Sequence, residues 1–205
     1  MKKVVLIGDS IRMIGYGKPV AERLSPDFEV WQPDDNCRFA NYTLRGLWDW
    51  QDGIRGADII HWNNGLWDIC QLFGDGTFTP KEEYVATMVR IAKLLKERAE
   101  TVIFATTTPV RPENMHNKNV VIEEYNEALV PKLVEMGVVI NDLYSPIAKD
   151  VYKYISDDTI HLSEDGIELA ADMVEKVIRH EAEKLTKSGK WADNSHKNES
   201  LGAPV

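Results

Sequence analysis

The sequence predicts an α/β fold, a three-layer α/β/α sandwich around a five-stranded parallel sheet. Three observations carry this expectation. Short apolar runs of strand length alternate with helix-length stretches, the βαβ pattern that requires right-handed crossovers and a parallel sheet. The first run, Val4-Val5-Leu6-Ile7, is apolar at every position, as in a strand covered on both faces. The 205 residues suit one sizeable domain and do not demand a second.

Taken in order, the run at 4–7 is stopped at once by Gly8-Asp9-Ser10, so the strand delivers Ser10 to its carboxyl end. Ligands of open parallel sheets bind outside those ends. Mixed spacing with Gly15 and Gly17 predicts a loop and a short helix up to Leu24. Phe28-Glu29-Val30-Trp31 is the second strand. Leu44, Leu47 and Trp48 recur at helical spacing behind Thr43, a candidate N-cap, and Gly53 and Gly56 close that helix. The third strand, over 57–62, opens into Asn63-Asn64-Gly65. Glycines in 73–77 mark a surface loop. An amphipathic helix over 81–99 carries Tyr84, Val85, Met88, Ile91, Leu94 and Leu95 on its apolar face. Residues 101–106 form the fourth strand, rich in β-branched and aromatic side chains. After a loop with Pro109 and Pro112 come a helix over 119–136, a fifth strand at 137–140 and a short helix near 146–151. Ser163 is a candidate N-cap for the last helix, which runs to about Lys184. The expected domain is 1–186. Residues 187–205 are polar and aperiodic and are expected to form a flexible tail.

Composition narrows the function. With 43% hydrophobic and 28% charged residues, the chain is ordinary for a soluble globular protein. A net charge of −9 supplies no basic excess to neutralise phosphates, which argues against a general nucleic-acid binder. Lys2-Lys3 followed by four apolar residues is too short for the core of a secretory leader, and no run approaches a membrane span. A cytoplasmic protein without membrane partners is the expectation. Cys37 and Cys70 form neither a disulfide framework nor a zinc pattern, and both are expected to be buried. His61, His116, His180 and His196 lack metal-ligand spacing; no metal or cofactor is expected.

The second informative stretch is Asp158-Thr159-Ile160-His161, after the fifth strand and on the face where Ser10 emerges. An acid three residues before a histidine can hold Nδ1–H while Nε2 faces outward. That is what a general base for a serine requires, because the carboxylate fixes the tautomer and stabilises the imidazolium. Ser10, His161 and Asp158 are therefore the candidate catalytic residues.

Gly8-Asp9-Ser10 and Asp158-x-x-His161 resemble the first and last blocks of the SGNH (GDSL) hydrolases, and the resemblance spans residues 3 to about 184. It implies a flavodoxin-like sandwich, a Ser-His-Asp triad and esterase, lipase, thioesterase or carbohydrate deacetylase activity without a metal. The family's second block reads Asn, then Gly-x-x-Gly-x-Thr. Asn36 and Thr43 fit its ends, so Arg38 and Asn41 stand where glycines would be, and the Asn41 N–H becomes the implied second oxyanion donor beside Ser10 N–H. The third block, Gly-x-Asn-Asp, is altered. Counting on Gly65 and Asp68 puts Trp67 at the donor asparagine, whereas counting on the end of the strand puts Asn64 there. Asn64 is preferred, since a primary amide carries two donors and an indole one.

Three side groups complete the reading. Arg12 either braces the loops by pairing with Asp68 or contacts an anionic group of the substrate. Asp9 is structural. Trp48, Trp62 and Trp67 lie near the expected catalytic face and suit a sugar ring or acyl chain. The expected function is acyl transfer to water on a small-molecule ester, a small O-acyl group on a carbohydrate. A lipase or thioesterase and a non-catalytic binder on the same scaffold are the alternatives. A Rossmann nucleotide binder is disfavoured, because no Gly-x-Gly-x-x-Gly follows the first strand.

Overall fold

The computed structural model describes residues 1–188. Five parallel strands, β1 (Lys2–Ile7), β2 (Phe28–Trp31), β3 (Ile59–Trp62), β4 (Thr101–Ala105) and β5 (Val139–Asn141), form one sheet in the order β2-β1-β3-β4-β5. The α/β/α sandwich is as the sequence predicts. Val4, Val5, Leu6 and Ile7 are all buried, which requires helices on both faces of β1.

A helical turn over Ile11–Tyr16, broken at Gly15, leads into α1 (Gly17–Leu24). Next come α2 (Ala40–Asp49), α3 (Gln51–Ile54), α4 (Leu66–Ile69), α5 (Lys81–Lys96) and α6 (Asn119–Glu135), then α7 (Tyr144–Ala148), α8 (Val151–Tyr154) and α9 (Glu164–Lys187). α1 packs on α9, while α5 packs on α2 and α6. The chain leaves β1 outward to β2 and then returns past it to β3. The strand order thus reverses between β1 and β3, and a crevice opens at their carboxyl ends. Ser10 follows one of these strands and Asn63 and Asn64 follow the other.

The second helix departs from expectation. It starts at Ala40, and Thr43 lies inside it, its Oγ1 donating to the Cys37 carbonyl at 2.8 Å. The cap comes from another part of the chain. The buried Asp68 carboxylate accepts the Ala40 N–H at 2.9 Å, a tertiary contact that no local spacing announces. Gly53 sits within α3, where a Cβ would lie 2.1 Å from the Trp31 ring; the chain turns at Gly56, φ +74°. Ser163 caps α9 as predicted, accepting from Gly166 N–H at 3.1 Å. That helix runs on to Lys187, into the stretch expected to be tail, and 189–205 lie outside the described residues, as does His196. Cys37 is buried and Cys70 only partly so. Among the described residues no helix is long and apolar enough to cross a membrane.

Candidate active site

Ser10 begins the helical turn directly after β1, and its Oγ lies 2.9 Å from His161 Nε2. His161 Nδ1 lies 2.6 Å from Asp158 Oδ2. Burial pushes the Asp158 carboxyl up, but hydrogen bonds from Ile160 N–H, His161 N–H, the Ser156 hydroxyl and the imidazole outweigh it and hold the group well below the usual carboxylate range. An ionised Asp158 can only accept, so Nδ1 carries the ring proton. Nε2 is left with a lone pair facing the Ser10 hydroxyl.

The loop carrying the acid and the base is closed on itself. Ile155 and Leu162 form an antiparallel bridge, Ser156 N–H donates to the His161 carbonyl at 2.8 Å, and Thr159 turns the chain at φ +73°. A β-branched residue in that conformation is strained and persists only where its surroundings hold it. Here the holder is Arg111, after β4. Its N–H donates to the Thr159 carbonyl at 3.0 Å, and its guanidinium donates twice to the Ile155 carbonyl, at 2.9 and 2.6 Å. Sequence reading missed Arg111, because nothing local marks an arginine whose acceptors lie over 40 positions downstream.

Beneath Ser10 lies a polar foundation. Asp9 Oδ1 accepts Ile11 N–H at 3.0 Å and Asn63 Nδ2 at 2.8 Å, and Asn63 Oδ1 accepts the Tyr16 hydroxyl at 2.7 Å. Burial lifts the Asp9 carboxyl to about 6 against those hydrogen bonds and the charges of Arg12 and His161. Gly8 must be glycine, since a Cβ would sit 1.9 Å from Asn63 Oδ1. Asn63 is thus committed to the foundation.

Asn64 ties two stretches together. Its Oδ1 accepts Trp62 Nε1–H at 2.8 Å and its Nδ2 donates to the Arg38 carbonyl at 2.8 Å, which leaves one amide hydrogen beyond that bond. Asn41 is exposed at the second position of α2, where a backbone N–H has no acceptor within its helix and the helix dipole is positive. Asn64 follows β3 directly, and Asn41 follows the Ala40 N–H that Asp68 accepts. Trp67, 41% exposed on α4, remains open to solvent.

Two expectations fail. Arg12 does not pair with Asp68 and does not face a substrate: it is 2% exposed and spends its guanidinium on Gln32 Oε1 and on the carbonyls of Gly8, Pro33 and Asp35. At a buried crossing of loops the guanidinium's N–H donors find acceptors in four separate groups, more than one carboxylate could offer. Trp62 is fully buried against Phe104, with ring centroids 4.9 Å apart, so it belongs to the core beneath the site. Asp68 instead accepts from Ala40 N–H and the Thr79 hydroxyl, and burial raises its carboxyl to about 7. His61, buried with Nε2 3.2 Å from Asn141 Nδ2, is pushed down to about 3 and stays neutral. Among the described residues no three His, Cys, Asp or Glu side chains converge to hold a metal ion.

No protein-family model matches the sequence, and no curated protein matches it. Solved structures do. An acetyl xylan esterase, AlAXEase, superposes with a TM-score of 0.72 at 16% identity over 86% of this chain and 99% of its own. A lipase/acylhydrolase from Enterococcus faecalis gives 0.71 at 19% identity over 88% and 97%. A protein assigned to the SGNH hydrolases, from Slackia heliotrinireducens, gives 0.69 at 15% over 86% and 98%. The chain has the SGNH hydrolase fold. The five-stranded parallel sheet, Ser10 at the end of β1 and the loop of Asp158 and His161 before the last helix stand as the sequence led one to expect. The remaining difference from the family pattern described above is local, at the second and third blocks around Arg38, Asn41 and Trp67.

Proposed function

We propose that the protein is a serine esterase that transfers a small acyl group from a carbohydrate or related metabolite to water. The observation that carries this reading is the unbroken hydrogen-bond series Ser10 Oγ, His161 Nε2, His161 Nδ1, Asp158 Oδ2. His161 takes the proton of the Ser10 hydroxyl as the oxygen attacks the ester carbonyl, and Asp158 stabilises the imidazolium. The oxyanion is held by the N–H groups of Ser10 and Asn41 and by the second amide hydrogen of Asn64. His161 then returns the proton to the leaving alcohol. Water, activated by the same imidazole, releases the acid and restores Ser10.

The acetyl ester is favoured because acetyl xylan esterases are among the superposed structures and because an exposed indole, Trp67, stands on the helix after β3. One observation favours a larger apolar ester. Leu72, Phe73 and Met115 are exposed on the two loops that follow β3 and β4, and those loops are joined by the Gln71 N–H bond to the His116 carbonyl at 2.8 Å. A series of p-nitrophenyl esters from acetate to decanoate separates the two. Acetate as the best substrate is the expected result, with Ser10→Ala and His161→Ala each losing activity and fluorophosphonate labelling Ser10. Turnover that survives either substitution, or a serine that fluorophosphonate leaves unlabelled, refutes the esterase.

A further inference from the structure

We infer that Arg38 is a specificity-determining residue that selects ester substrates whose alcohol part carries a carboxylate, an acylated sugar acid. The inference rests on the esterase reading and deepens it. Arg38 lies on the strap after β2 and is pinned to the stretches on either side of the crevice. Cys37 N–H donates to the Gly8 carbonyl at 3.2 Å and Gly8 N–H to Cys37 Sγ at 3.3 Å, two residues before Ser10. The Arg38 carbonyl accepts from Asn64 Nδ2, and Asn41 follows three residues later.

The conformation is unusual as well as the place. Arg38 has φ +47°, a left-handed backbone that glycine adopts freely and an arginine does not. It is held there from both ends, its N–H donating to Asn36 Oδ1 at 2.9 Å and its carbonyl accepting from Asn64. A strained backbone at a site rim is a reason to ask what its side chain does.

That side chain is exposed and carries an uncommitted charge. Its guanidinium carbon lies 4.9 Å above the Tyr42 ring, and among the described residues it forms no ion pair. Arg23, Arg45, Arg55, Arg111 and Arg179 all engage carboxylates. Asp35 accepts the Tyr42 hydroxyl at 2.7 Å and, among the described residues, forms no ion pair with Arg38. Stacking on a ring leaves the edge of the guanidinium free, the fork that matches a carboxylate in bidentate fashion. In a chain of net charge −9 an anionic substrate meets net repulsion, so an unpaired cation on the strap tied to Gly8 counts for more. The rings around it, Phe78, Phe39, Tyr42 and Trp50, follow one another in that order at 5.4 to 6.4 Å between centroids and offer aromatic surface against which a sugar can lie.

The test compares mono-O-acetylated methyl glucuronide with mono-O-acetylated methyl glucoside, which differ only in the carboxylate. The readout is the ratio of their kcat/KM values within each variant, which cancels any change in folded fraction. The wild-type ratio is expected to favour the glucuronide by about tenfold at low salt and to fall as salt is raised. Arg38→Asn, which tolerates the left-handed backbone, should bring the ratio to about one, and Arg38→Lys should keep part of it. An Arg38→Asn ratio equal to that of the wild type, or a wild-type preference for the glucoside, overturns the inference while the esterase stands. Turnover of p-nitrophenyl acetate but of neither sugar also overturns it. Failure to hydrolyse p-nitrophenyl acetate at all refutes the esterase itself.

Discussion

Replacing Asp68 by asparagine should make the protein progressively more stable than the wild type as pH rises. The carboxylate is fully buried, accepting Ala40 N–H at 2.9 Å and the Thr79 hydroxyl at 2.8 Å. Burial raises it from its ordinary 3.8 to about 7; those two hydrogen bonds oppose the rise, and the charges of Asp9 and Glu83 add to it. The folded chain therefore keeps this proton up to about pH 7, whereas the unfolded chain loses it near pH 4. Between those limits folding takes up a proton, so this group's contribution to stability falls as pH rises and is constant above the upper limit. Three pKa units correspond to about 4 kcal/mol at 1.36 kcal/mol per unit. Asparagine avoids that cost, because its carbonyl can accept Ala40 N–H while its amide donates to the Thr79 hydroxyl oxygen. Urea unfolding followed by tryptophan fluorescence at pH 4.5, 6, 7 and 8 gives the difference between variant and wild type, expected to grow by about 3 kcal/mol over that range, since part of the effect has already developed at pH 4.5. A difference that does not change with pH refutes the reasoning, since Asp68 would then titrate alike in both states.

Gly8→Ala should destabilise the fold by about 3 kcal/mol in the same unfolding assay, because the new Cβ would lie 1.9 Å from Asn63 Oδ1, and Asn63 is held by Asp9 and Tyr16. Asn41→Pro deletes a backbone N–H in the first turn of a helix, where proline is tolerated. It should cost roughly 10²–10³ in kcat with an unchanged circular dichroism spectrum if that N–H serves the oxyanion. Arg111→Met releases the Ile155 carbonyl and loosens the loop of Asp158 and His161; steady-state kinetics should show kcat reduced about a hundredfold with KM nearly kept.

The parts of this site that were legible in the sequence are those whose cause is local. An unbroken apolar run stopped by Gly8 announces a buried strand with Ser10 at its end. An acid three residues before a histidine on a helix-entry loop announces a base and its orienting group. Alternation of apolar runs with amphipathic stretches announces the sheet and its parallel connections. The errors lie where a distant part of the chain supplied the partner. Thr43 lost the cap to Asp68, Arg12 found carbonyls from three loops in place of one acid, and Trp62 turned inward beneath Asn64.

By itself, then, the sequence determined the fold class and singled out Ser10, His161 and Asp158, which the structure brings within hydrogen-bond reach, because strand length, helical period and loop spacing are properties of neighbours along the chain. Only the tertiary structure decided that Asn63 belongs to the foundation while Asn64 ties to the Arg38 carbonyl, that Arg111 moors the loop of Asp158 and His161, and that Arg38 rather than Arg12 offers its charge to solvent. The physical reason is that a polar side chain's role is set by which donors and acceptors remain unsatisfied around it once the core has closed. That inventory exists only in three dimensions.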